Sequence, residues 1–206
     1  DVYKRQVGND ALKTNSTADN NVGIGQSALE TNSTGTSNTA VGMSALQANT
    51  TAAGNTAVGK SSLAVNSTGA SNTALGSNSL VANTTANDNT ALGFNALCKT
   101  TTGTQNTSVG NNVMRQNTTG DQNTAVGYRA LDANTTANNN TAVGKDSLLS
   151  NTTGTQNTAV GRTSLDANTT GDNNTAVGVN ALSENTTSDD NTAMGYESLF
   201  LNTIGA

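Results

Sequence analysis

The sequence predicts an all-β repeat: a parallel β-solenoid of about 12 stacked 17-residue coils, each with one short strand plus a helical turn or tight arc. Three observations carry this. Glycine recurs every 17 residues from Gly8 to Gly195 without insertion or deletion. The five residues ending at each glycine, typified by Asn38-Thr39-Ala40-Val41-Gly42, alternate in the manner of an extended strand. Asparagine returns in two columns per repeat, at 38, 55 and 72 and again at 32, 49 and 66.

The elements follow in order. Within NTAVG the Thr and Val columns lie two residues apart and share one face of a strand. Val22 stands where other copies have Thr, so that face is expected to look inward. The interleaved column is Ala or smaller, apart from Ser108, and reads as a surface that a neighbour approaches closely. The recurrent glycines Gly25, Gly42, Gly59, Gly76, Gly93, Gly110, Gly127, Gly144, Gly161 and Gly178 suit a bend needing positive φ or lacking room for a Cβ. After glycine the apolar spacing changes to that of Val41, Ala45, Leu46 and Asn49, one helical face, so a helical turn or tight arc is expected. The NTTG segment closes the circuit with turn-forming residues.

A single coil cannot bury its apolar face, but stacked coils can. The expected core ladder is Val41, Leu46, Val58, Leu63, Val126, Leu131, Val143 and Leu148. Asn32, Asn49, Asn66, Asn83, Asn117, Asn134 and Asn151 are expected to form an asparagine ladder that bonds the turns of adjacent coils. So thin a core suggests self-association through the small-residue face, a homotrimer being the arrangement considered.

The first six residues, DVYKRQ, break the pattern and read as a translated sequencing adapter. Residues 7–206 are then one solenoid domain, a fragment of a longer protein.

Composition narrows the function. Aromatics are 2% and charged residues 11%, with no His, Pro or Trp. Without His, and with Cys98 alone, the usual Ser/His and Cys/His nucleophile systems are missing, so no enzyme and no cofactor are expected. Nine basic residues form no cluster and net charge is −5, so no nucleic-acid partner is expected. No apolar run reaches membrane-spanning length, so no membrane insertion is expected. Cys98 reads as an incidental surface residue. Asp19, Asp88, Asp121, Asp172, Asp189 and Asp190 precede the strands; they read as solvated turn residues before calcium ligands. The NST and NTT triplets from Asn15 to Asn185 match a glycosylation acceptor, but the ladder explains the same residues.

The unit NTAVGxxALxxNTTGxx, covering 7–206, resembles a repeat of phage tail-fibre-like and bacterial surface proteins. NVGIG at Asn21–Gly25 is similar to the repeats of YadA-like trimeric autotransporter adhesin heads, which are left-handed parallel β-rolls assembled as trimers. VGxxALxxN resembles a segment of BspA-type leucine-rich repeats, whose second half is a helical turn. The resemblance implies a non-catalytic structural or adhesive shaft of an extracellular fibre, on a cell surface or virion. Its partner would be a cell-surface glycan or a host receptor. Recognition would use the variable columns: one follows glycine and includes Phe94, Tyr128 and Tyr196; the other follows Leu and includes Arg115, Asp132, Leu149 and Phe200. The alternative is ice binding by a turn threonine ladder, Thr51, Thr68, Thr85, Thr102 and Thr119.

Overall fold

A computed structural model of the chain describes residues 4–203. Among these, twelve strands form one parallel sheet in sequence order. The sheet starts with β1 (Lys4–Val7), β2 (Asn21–Ile24) and β3 (Thr39–Val41), and ends with β12 (Thr192–Met194). Like pairs with like: Thr39 faces Thr56, Ala40 faces Ala57 and Val41 faces Val58. Lys4, Arg5 and Gln6 extend the sheet by pairing with Asn21, Val22 and Gly23, so the backbone of this half of the DVYKRQ segment continues the stack; the segment's first three residues lie outside the described ones.

The ladder does not stop at the strands. Beyond each glycine, backbone amides still reach neighbouring coils: Ser44 N–H donates to Gln26 O at 2.9 Å, Leu46 N–H to Ser62 O at 3.1 Å, and Ala48 N–H to Ala64 O at 2.9 Å. Of the two forms expected after glycine this is the tight arc, and no helix occurs among the described residues. Instead φ is positive at alternate positions of the arc: +133° at Gly42, +56° at Ser44 and +50° at Leu46. An α-helical turn would consume its amides locally. The alternation frees them to bond along the stack, and the i, i+4, i+5 apolar spacing belongs to this arc.

The core also departs from expectation. Leu46, Leu63, Leu131 and Leu148 are fully buried, as expected. The strand residue facing them is the small one: Ala40, Ala57, Ala125 and Ala142 are fully buried. Val41 and Val58 are half-buried on the outside, and Val126 and Val143 are each 36% exposed. The alternation was right and its polarity reversed. Volume decides the matter. From β3 to β12 the column holds Ala or Ser108, and at Gly23 even a Cβ would lie 2.9 Å from Leu12 Cγ, so the interior has no room for Val opposite Leu. The close neighbour that the small column accommodates is the Leu of its own solenoid. The small-residue face is therefore interior and unavailable for association between chains.

Candidate functional site: ladders and outward columns

The glycine column meets both conditions foreseen for it. Its φ values lie between +120° and +137°, beyond the ordinary left-handed well. A Cβ on Gly42 would sit 2.6 Å from the Gly59 carbonyl oxygen of the next coil. Adjacent coils touch backbone to backbone here.

Both asparagine columns are buried and bonded. Asn38 Oδ1 accepts the Asn55 backbone N–H at 3.0 Å, and its Nδ2 donates to Ala52 O at 2.8 Å. From the other column, Asn49 Nδ2 donates to the same carbonyl at 3.0 Å and to Asn32 Oδ1 at 2.8 Å. Asn32, Asn49, Asn66, Asn83, Asn117, Asn134 and Asn151 all have zero exposure, so in the folded chain these triplets offer no accessible glycosylation acceptor.

Two breaks occur in this ladder among the described residues: one at the last coil, where Asn185 Oδ1 lacks a partner, and an informative one in mid-stack. Thr100 takes an asparagine position, and Asn83 Oδ1, one coil below, is buried without a partner. Thr100 has no amide to donate to it. Its hydroxyl instead bonds Asn117 O at 3.2 Å. Thr100→Asn is expected to restore the donor and raise stability by about 1–3 kcal/mol, read as a higher denaturant midpoint at unchanged m.

Three of the acids before the strands prove to be backbone caps. Asp121 Oδ1 accepts the Thr104 amide at 2.6 Å, Asp172 Oδ1 the Thr155 amide at 2.6 Å, and Asp189 Oδ1 the Asp172 amide at 2.7 Å. Asn87 and Asn138 do the same for Ala70 and Asp121. Sequence reasoning missed this role, although recurrence of Asp and Asn in one column was its signal. Among the described residues, no group of three or more His, Cys, Asp or Glu side chains is placed to hold a metal ion.

The column after Leu is largely spoken for. Arg115 forms a bidentate pair with the nearly buried Asp132 at 3.0 and 3.2 Å. Arg129 approaches Asp132 at 3.9 Å and Asp146 at 3.7 Å. Cys98 Sγ lies 3.6 Å from Arg115 O, and burial pushes its thiol pKa up, which lowers its reactivity. Burial likewise raises the Asp166 carboxyl, against a hydrogen bond from Ser183.

The column after glycine is different. Phe94, Tyr128 and Tyr196 project from it at 47%, 47% and 72% exposure. Lys60, Lys145 and Arg162 are exposed in the same column. Three of the five Phe and Tyr residues and three of the nine basic residues thus stand in one file, which holds no acid. Lys145 lies 3.4 Å from Asp146 of the adjoining column. Next to this file runs the outward face of the sheet, Thr and then Val or its equivalents.

The turn threonines split by role. Thr50 and Thr118 donate their hydroxyls to Ser67 O at 3.1 Å and Thr135 O at 2.9 Å of the following coil. Their neighbours Thr51, Thr68, Thr85, Thr102 and Thr119 are exposed. Comparison with known proteins adds no name: no family model matches the chain, and neither a curated protein nor a solved structure was found to match it.

Proposed function

We propose that the chain is a rigid, non-catalytic shaft of an extracellular fibre, on a cell surface or virion, with an adhesive file of side chains along one edge. The supporting observation is the unbroken stack. Every strand pairs in register with its neighbours, and buried Asn amides tie successive coils together behind the sheet. At about 4.8 Å per coil, twelve coils make a rod of roughly 50–60 Å. Such a body presents side chains in a straight line at fixed intervals. The exposed aromatics in that line suit stacking on sugar rings, and the cations beside them suit a glycan bearing carboxylate or sulfate groups.

Glycan-array binding tests the adhesive half of the reading. The chain is expected to retain glycans, and a Phe94→Ala/Tyr128→Ala double variant to lose them while keeping its circular dichroism. An array with no binding would leave a passive spacer. Small-angle scattering that found no elongated particle would remove the shaft itself.

A further inference from the structure

We propose that the outward Thr–Val face of the sheet binds ice. This goes beyond the shaft reading and uses a different surface from the aromatic file and from the turn threonines.

The ten strands from β3 to β12 each begin with Thr and carry Val, Leu or Met two residues later. Both columns point outward, since the residue between them is buried. The face is therefore a two-dimensional array. It steps about 4.8 Å from coil to coil and about 6.6 Å from Thr to Val along a strand. The coil-to-coil step lies near the shorter oxygen repeat of hexagonal ice. A single turn ladder repeats in one direction only, and this favours the strand face over the Thr51 column.

Nothing inside the chain accounts for the threonines. Among the described residues none of the strand Thr hydroxyls makes a hydrogen bond within the chain, in contrast to the Thr50 column. Strand propensity would be served equally by Val, Ile or Tyr, and Val22 occupies this column in the second strand. Recent copying of the repeat does not explain the uniformity either. The adjacent file after glycine has diversified to Met43, Lys60, Phe94, Asn111, Tyr128 and Arg162 while Thr stayed fixed.

The chemistry of the face points to ordered water as its occupant. From β3 to β12 neither outward column contains a charge, so no side chain there imposes a tight hydration shell of its own. A protein partner would be anchored by aromatic or Arg side chains, which both columns lack. What repeats is a methyl, a hydroxyl and a half-exposed aliphatic group, held in place by the asparagine bonds behind them. Methyl groups order adjacent water, and unpaired hydroxyls are free to join its lattice.

Thermal hysteresis and ice-crystal shaping of the folded chain test the proposal. The unaltered chain is expected to show both. A Thr73→Lys/Thr124→Lys variant on the strand face is expected to lose them, and a Thr68→Lys/Thr119→Lys variant in the turn ladder to keep them, with circular dichroism unchanged in each. A folded chain without hysteresis or shaping overturns the proposal, and so does loss in the turn variant alone. Light scattering that showed an oligomer dissolved by the strand-face lysines would assign the face to a second copy of the chain. Because glycan retention depends on Phe94 and Tyr128, either reading can fail without the other.

Discussion

Replacing Gly127 by alanine is expected to destabilise the rod by at least about 3 kcal/mol and to divide its unfolding into two steps. Two costs add. The residue holds φ at +134°, which side chains with a Cβ rarely adopt. The new Cβ would also sit 2.5 Å from the Gly144 carbonyl oxygen and 2.7 Å from its carbon, both backbone atoms that cannot rotate away. Relief requires the two coils to separate, and that separation strains the adjoining asparagine and amide ladders. In a stack where each coil touches only its neighbours, a weak joint uncouples the halves. A biphasic denaturation curve, with hydrogen exchange fastest around residues 127–144, is the expected signature. Gly54→Asn is the control. Its φ is +71°, a Cβ there meets nothing closer than 3.9 Å, and Asn139 and Asn173 hold the equivalent position at φ of about 60°. That substitution is expected to change stability by no more than about 0.5 kcal/mol. Equal effects at Gly127 and Gly54 would show that crowding between coils is not what selects glycine.

Asn123→Ala is expected to cost about 3 kcal/mol by a separate route. Asn123 Oδ1 accepts the buried Asn140 backbone N–H at 3.0 Å, and its Nδ2 donates to Ala137 O at 2.8 Å. Alanine removes both, and with them the Nδ2 bond to Asn106 Oδ1 at 3.1 Å, an acceptor that keeps the Asn123 backbone N–H at 3.0 Å. The Asn140 amide is left without a partner in the interior, while Ala137 O keeps its bond from Asn134 at 3.2 Å. The loss is therefore one orphaned donor plus a small void, each of which is destabilising. Asn123→Asp discriminates further. It retains an acceptor for Asn140 but cannot donate to Ala137 O and places a carboxylate among buried groups. Its deficit is expected to shrink as pH falls and the carboxyl becomes neutral, whereas the alanine deficit stays constant. A pH-independent Asp variant would disprove burial as the source of its cost.

The features most legible in the sequence were those where one residue type meets a single demand. Gly42 and its equivalents had to be glycine for conformation and for space, and both reasons follow from the residue alone. Leu46 was placed correctly because nothing else in the repeat matches its size, and Asn49 because its amide can donate and accept between stacked coils. The errors came where two columns competed. Val41 outranks Ala40 in hydrophobicity, yet the coil interior had room for a methyl only. That width is a property of the closed circuit, invisible in a five-residue window. For a related reason the spacing left a helical turn and a tight arc both open after glycine. Leu46 in a left-handed conformation contradicts its local preference, and the axial bond from its amide to Ser62 O sustains it. A hint lay two residues earlier, where Ser44, Asn78, Asn95 and Asp146 supply the types that tolerate positive φ. Ala53, Asn87 and Asp121 share a column whose acids and amides cap the coil below, and a bond between coils leaves no trace in local spacing.

Because the backbone bonds between coils join positions about seventeen apart, the backbone joint between any two coils repeats that of the next, whatever side chains vary around it. Excising one repeat between equivalent residues therefore reseals the stack with familiar partners, and duplicating one inserts cleanly. The molecule works as a ruler graduated in steps of about 4.8 Å. Unequal recombination within such a gene would lengthen or shorten the rod in whole increments, adjusting reach without any redesign of the joint.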